Sequence, residues 1–475
     1  MIQRSRCIRD PIHGDVRLRP IEAAVVDSRI FQRLRYIRQN GLLHFVFPGA
    51  VHTRFAHSIG TMHIAGRVAE QLFGPLTERA DARGREAVQY LSTVFRLSAL
   101  LHDVGHCAFS HSIEHVTYKG EPLLGTTREL LERWGERELL AEILAVHPEV
   151  GEEPVTHEQI GLVLTRRIFE GDAMGLACAA AGMDAQELGR DVRAIMDGGL
   201  GITGRFAEHS LQLPKLLGAE IREPEVDISG ILHALISGTL DVDRLDYLIR
   251  DSHFCGVPYG RCDVALLIRS LSLGVVESGI VPMLHRKAAH ALDDMLWSRY
   301  QLFLQVYNHK TNVGLNAALA SALFFAIAEL RIRRPQQFNE FIAFIDDHIL
   351  GNLFFSAELG DLDDRWYTRV LVDREVPKHL RSVRISAHDD PSAVRAAVSD
   401  SIAREIGIAP SEILVGSARS TLLKSGLLLR LVDWNHRTGE LELEEFDLVS
   451  SVIGDGKFAD SEYHVLHFFT DRRRI

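Results

Sequence analysis

Residues 100–115 read LLHDVGHCAFSHSIEH, four histidines, an aspartate and a glutamate crowded into sixteen residues behind a pair of leucines. On a helix, His102 and His106 would lie four apart on one face with Asp103 beside them. Imidazole and carboxylate together suit a borderline divalent ion such as iron, manganese, zinc, nickel or cobalt. A lone His-Asp pair is common by chance. Here, however, the preceding VFRLSALL is apolar and implies burial, and buried imidazoles need partners. The spacing predicts an apolar helix over 91–101 that delivers the cluster.

Adjacent ligands cannot make a site alone, so others must come from elsewhere in the chain. FPGAVHTRFAHSIG places Arg54 and His57 three apart at the start of a helix predicted from about 53 to 73. LDVDRLDYLIRDS places Asp243, Tyr247 and Asp251 at i, i+4 and i+8, on one polar face. Leu245, Leu248 and Ile249 take the other. An acidic run of this kind is usually a solvated helix face. One that carries a tyrosine and stands beside Arg244 and Arg250 is less usual.

The whole chain sets bounds on the chemistry. Its 475 residues exceed one typical core and predict two lobes. A net charge of −11, from 53 basic and 64 acidic residues, argues against a chain whose main work is gripping nucleic acid. It leaves room for a phosphate-bearing small molecule held by local arginines. Cys7, Cys107, Cys178, Cys255 and Cys262 form no CxxC pair, which fits a reducing, cytoplasmic compartment without a disulfide framework. The charged N-terminus has no apolar segment behind it and is not expected to be a signal peptide. Residues 313–330, VGLNAALASALFFAIAEL, contain Asn316, Ser321 and Glu329 and sit at the lower length limit for a bilayer span. A buried helix and no membrane association are expected.

Strand and turn signals occupy residues 1–20, and apolar spacing predicts a helix over 22–39. Further helices are expected at about 127–147, 155–170, 185–197, 230–252, 263–272 and 290–330. Beyond 330 the texture changes. RSVRIS and GELELEEF alternate as strands do, and AVRAAVSDSIAREIG between them reads as an amphipathic helix closed by Gly407. The expected architecture is mainly α, a helical core over 1–330 with a smaller C-terminal α+β lobe over 331–475. There are no internal repeats.

In the order His57, His102-Asp103, Asp243, the chain resembles the HD-domain metal-dependent phosphohydrolases. HDVGHCAFSH is similar to the deoxynucleoside triphosphate triphosphohydrolase branch, closest to the family of the restriction factor with SAM and HD domains. DPIHG, FQRLRYIRQ, VTHEQIG and RYQLFLQVYNHK extend the likeness over about residues 6–310. The SAM domain is not expected here, since Met1 lies nine residues before DPIHG. The resemblance implies a fold with an HD helical core and a divalent metal held by His57, His102, Asp103 and Asp243. It implies that Arg54, Arg244, Arg299 and Lys310 meet the phosphates, with magnesium accompanying them. His106 would approach the α-phosphate, and His111 would act as general acid backed by Glu114 and His157. Gln39, Tyr247 and Asp251 would read the deoxyribose, and Tyr307 would flank the base or sugar. His115 is left as a structural histidine. The implied reaction is hydrolysis of a dNTP to deoxynucleoside and triphosphate, by metal-activated water attacking the α-phosphorus.

The same resemblance implies regulation. Asp27, Gln32 and Arg35 match a guanine-reading pocket at a subunit interface, and Arg6, Val46 and Phe47 match its surroundings. The expected effector is GTP or dGTP and the expected assembly a homo-oligomer, a tetramer above others. Around Leu266, His285 and Ala291 the polar and basic residues for a second effector nucleotide are incomplete. Two other functions fit less well. An HD phosphohydrolase could act on another nucleotide, a monophosphate or a modified one. A nucleic-acid-binding protein with a degenerate HD site conflicts with the intact ligand set and the acidic charge.

Overall fold

The computed structural model describes residues 6–114, 116–218, 228–276, 279–358, 366–386, 389–420, 430–435, 440–445, 463–471 and 473. His115 lies outside them. The chain is mostly helical, with small sheets, as its apolar spacing predicts.

A hairpin of β1 (Arg6–Asp10) and β2 (Gly14–Leu18) opens the chain. Its turn is fixed by Asp10, whose carboxylate accepts from the Ile12 and His13 N–H groups, both at 2.9 Å. Proline at the first helical position starts α1 (Pro20–Asp27). The helix expected over 22–39 stops there, because Ser28 is extended (ψ 141°). Its hydroxyl donates to the Val25 carbonyl at 2.7 Å and accepts from the Phe31 N–H, offering the backbone an alternative to helix. A short helical turn and a 3-10 turn carry the chain on to Tyr36.

The core is a stack of helices. The helix α2 (Arg54–Thr77) packs on α3 (Ala82–Leu101). The helix α3 begins well before residue 91 because Asp81 caps it, accepting from the Gly84 N–H at 2.7 Å, and Ala87, Val88 and Tyr90 already face the core. The helices α4 (His157–Phe169) and α5 (Ala185–Asp197) lie near the expected bounds, and α5 packs on both α3 and α4. The predicted helix over 127–147 is split at Gly135 (φ +80°), and that over 230–252 becomes α6 (Ile228–Ser237) and α7 (Val242–Cys255). Asp241 makes the second break by capping α7, its carboxylate accepting from the Arg244 N–H at 2.7 Å. The expected 290–330 helix likewise divides, into α8 (Ala289–Leu302) and α9 (Lys310–Ala328), at a π turn over Phe303–Tyr307.

The apolar helix α9 is long enough to cross a bilayer by length and composition, but more than half of it is buried inside the protein. It works as a core helix. Beyond a two-residue hairpin of Thr117–Tyr118 with Glu121–Pro122, the later strands are β3 (Leu271–Val276), β4 (Gly279–His285), β5 (Lys378–Arg384), β6 (Leu414–Ser420), β7 (Arg430–Asn435), β8 (Glu440–Glu445) and β9 (Tyr463–Thr470). One sheet has the order β8-β7-β4-β3, with β4 parallel to β7, so strands from both sides of residue 330 share it. A three-stranded sheet, β5-β9-β6, is antiparallel and carries the helix Pro391–Ile406 on a small core of Ile385, Ile402, Ile413, Leu466 and Phe468. This is the α+β texture expected of the C-terminal part. Gly439 and Phe446 of the GELELEEF stretch lie outside the described residues. All five cysteines are free.

Candidate active site

The four expected metal ligands converge. His57, in the first turn of α2, has Nε2 2.9 Å from Asp243 Oδ1 and 3.4 Å from Asp103 Oδ2. His102 Nε2 lies 3.5 Å from both Asp103 Oδ1 and Asp243 Oδ1. The helix α3 ends at Leu101, so His102 and His106 do not share a helix face as their spacing suggested. They lie on successive turns of a tight loop. Gly105 is the reason: a Cβ there would sit 1.9 Å from the His157 carbonyl oxygen, a contact only glycine permits.

Both imidazoles are aimed from behind. His57 Nδ1 donates to Asp246 Oδ2 at 2.8 Å, and His102 Nδ1 to the Ala99 carbonyl at 2.8 Å. Their Nε2 atoms are buried and make no hydrogen bond, the state expected of imidazoles built to hold a cation. The donor set of two imidazoles and two carboxylates fits a divalent metal. Burial alone would lower the His57 imidazole; carboxylates on both nitrogens, from Asp243 and Asp246, outweigh it and raise it to about 10. Burial would raise Asp243, but His102 and His57 hold it far below the usual carboxylate range. Metal binding would displace the imidazole proton.

Asp246 belongs to a second layer that the sequence reading missed. It accepts from Arg250 Nε at 2.7 Å and from His13 Nε2 at 2.6 Å, and Arg250 in turn donates to Asp10 at 2.9 Å. All four are held inside the protein. Gly60 of α2 makes room for them: a Cβ there would meet Asp246 Oδ1 at 2.1 Å and Arg250 Nη2 at 2.3 Å. Signals existed in DPIHG and in the i, i+4 spacing of Asp246 and Arg250.

A second cluster adjoins the first. His106 is fully buried, its Nε2 3.3 Å from Asp103 Oδ1, and it stacks on His157 with ring centroids 3.8 Å apart. Burial, Arg54 and His157 keep it neutral, with its pKa well below the ordinary histidine value. Glu114 receives His157 Nδ1 at 2.7 Å and His111 Nδ1 at 3.0 Å. Burial would raise Glu114, but those two imidazoles hold it ionised, far below the usual range. His111 itself is 63% exposed. The loop that presents it passes through positive φ at Phe109 (57°) and Ser110 (53°). Asp346, another residue the sequence did not reveal, pins this strained turn by accepting from the Phe109 N–H at 2.7 Å.

Both clusters border a cavity of about 510 Å³. Gln39, Arg54, Arg244, Tyr247, Asp251, Arg299 and Tyr307 all line it, as do His102, Asp103, His111, His157 and Asp243. Arg54 is tied to Asp103 by a short ion pair and to Ser110 Oγ at 3.0 Å. Arg244 Nη1 donates to the Thr239 carbonyl at 2.7 Å, and the Arg299 guanidinium lies over Phe303. Asp251 accepts from His52 Nε2 at 2.7 Å and from the Tyr307 hydroxyl at 2.5 Å. His52 was not foreseen. Lys310 does not line the cavity; it is exposed, and its charge acts on His379 and His467.

The expected guanine-reading residues lie apart from this cavity. Arg6 and Asp27 form an ion pair at the surface. Gln32 Oε1 accepts from Arg35 Nε at 2.8 Å, and the Arg35 guanidinium stacks 3.6 Å over the Phe55 ring. Val46 and Phe47 are partly buried against the core.

Comparison with known proteins agrees with this geometry. Residues 54–179 match the family model of the HD domain. An uncharacterized Methanocaldococcus jannaschii protein, MJ1154, is 29% identical over 310 residues, 64% of this chain and 46% of that protein. The Homo sapiens deoxynucleoside triphosphate triphosphohydrolase SAMHD1 is 27% identical over 324 residues, 68% of this chain and 44% of that protein. The chain thus spans about half the length of these curated relatives. The fold resembles the crystal structure of a phosphohydrolase from Bacteroides thetaiotaomicron, with a TM-score of 0.64 and 21% identity, covering 98% of this chain and 100% of that one.

Proposed function

With an HD domain over residues 54–179 as the premise, we propose that this chain hydrolyses deoxynucleoside triphosphates to deoxynucleoside and intact triphosphate. The observation that carries the reading is the pair of buried, unbonded Nε2 atoms of His57 and His102 facing Asp103 and Asp243 at the wall of an arginine-lined cavity. The likeness to a dNTP triphosphohydrolase supports the choice of substrate.

His57, His102, Asp103 and Asp243 would hold a divalent ion, which would supply Lewis acidity there. The chain's own groups do the rest. Arg244 and Arg299 line the cavity and give the phosphates charge-assisted hydrogen bonds. Arg54 holds Asp103 in place. Neutral His106, buried beside Asp103 and not itself lining the cavity, would approach the α-phosphate. His111, on the open side, gives its proton to the departing 5′ oxygen. Glu114, kept ionised by His157, orients the His111 ring through Nδ1. Tyr247 and Gln39 flank the sugar. Asp251, fixed by His52 and Tyr307, accepts from a sugar hydroxyl.

Regulation by GTP or dGTP belongs to the same reading. Guanine N1 and N2 hydrogens would take the place of Arg6 on the Asp27 carboxylate, between subunits of a homotetramer. The five free cysteines support a reducing, cytoplasmic setting. The test is a panel of dNTPs, NTPs and dNMPs with manganese or magnesium. The expected result is turnover of dNTPs above the other two classes. Preferential turnover of monophosphates would overturn the assignment.

A further inference from the structure

A second cavity, of about 440 Å³, opens between β2, α2 and α3. Four arginines border it: Arg17 and Arg19 from the end of the hairpin, Arg67 from α2 and Arg96 from α3. None of them lines the HD cavity, and none belongs to the expected guanine pocket.

Its charge is unbalanced. Arg96 holds Glu22 through Nε at 2.5 Å and Nη2 at 2.8 Å, and Arg19 Nε reaches the same carboxylate at 3.9 Å. Two guanidinium groups therefore share one acid. Arg19 spreads its Nη groups over Thr93 Oγ1 at 3.2 Å and Ser92 Oγ at 3.3 Å. The side chains of Arg17 and Arg67 make no hydrogen bond or ion pair with another described residue. The remaining acids at the rim are Asp15, already paired with Arg9 at 2.9 Å, and exposed Glu70. His63 on the wall is kept neutral near pH 7, lowered to about 4 by burial and by His13, Arg67 and Arg96. Between the arginines the floor is apolar or open, formed by Ala69, Phe73, Gly74 and Val88.

Converging guanidinium groups in a cleft concentrate a positive field and suit the tetrahedral oxygens of phosphate. An apolar floor beside them gives space for a sugar or base. We propose that this cavity binds an oligophosphate chain, free or esterified to a nucleoside, at a site separate from the HD centre. The inference stands independently of what the HD site hydrolyses. The two sites nonetheless share scaffolding: α2 carries His57 at one end and Arg67 towards the other, and α3 carries Arg96 and leads into His102.

Calorimetric titration of the full chain tests this, with sodium tripolyphosphate and a non-hydrolysable nucleoside triphosphate as separate probes. Wild type should show a binding event that Arg17→Gln/Arg67→Gln weakens by roughly ten- to hundredfold. Arg67→Lys, which keeps the charge, should retain most of it. A tripolyphosphate event marks recognition of the phosphates alone; an event with the nucleotide probe only marks the esterified ligand. Should the double variant unfold, Arg17→Gln at its exposed position makes the same comparison. Isotherms identical to wild type for both probes would overturn the proposal.

Discussion

His57 Nδ1 lies 2.8 Å from Asp246 Oδ2, and this contact decides which nitrogen of His57 faces Asp103 and Asp243. Asp246 is itself held by Arg250 and His13, so the orientation of one candidate metal ligand rests on a buried ionic network. Asp246→Asn should reduce metal affinity by roughly ten- to hundredfold while leaving the four ligands in place. Metal titration followed by elemental analysis checks it, and unchanged affinity would remove Asp246 from the site.

His111 is the exposed member of its cluster and touches no metal ligand. His111→Asn should lower kcat by roughly a hundred- to ten-thousandfold without changing bound metal. Steady-state kinetics beside metal content separate proton donation from metal binding. Loss of metal in this variant would contradict the assigned role.

Asp27→Ala addresses regulation. It removes the carboxylate that would accept from guanine, at a cost of roughly 1–3 kcal/mol in effector binding for an unpaired group. Basal turnover at the HD centre should persist. Rates with and without GTP, on wild type and variant, report the effect; equal rates in all four would eliminate guanine activation and leave the hydrolase.

Two histidines, half-buried His44 and buried His467, set an acid limit on stability. His44 is lowered from 6.5 to about 4 by burial and by Arg38, and His467 likewise by burial, His379 and Lys310. Because folding depresses these pKa values, the unfolded chain binds more protons between pH 6.5 and 4. Their contribution is fully present above pH 6.5 and is lost as pH falls through 4. Urea midpoints should decline across that window, and His44→Gln should flatten the decline.

Much of the centre was legible in the sequence because its parts are local. LLHDVGHCAFSH follows an apolar helix, and Asp243, Tyr247 and Asp251 share one face of another. The supporting network was not legible. His13 and Asp246 are 233 residues apart in sequence, and Asp346 pins Phe109 across 237; no spacing rule connects such positions. Helix breaks were missed for a different reason. Ser28 and Asp241 interrupt continuous apolar spacing by hydrogen-bonding their own neighbours, a side-chain effect that periodicity cannot register. The tight loop at Gly105 likewise depends on the close approach of α4.

The most direct measurement is hydrolysis of dGTP in ¹⁸O-labelled water, with both products analysed by mass spectrometry. Attack at the α-phosphorus with the 5′ oxygen leaving predicts unlabelled deoxyguanosine and triphosphate carrying one ¹⁸O. Asp103→Ala should form neither. Deoxyguanosine monophosphate with pyrophosphate, or label in the deoxynucleoside, would contradict the account.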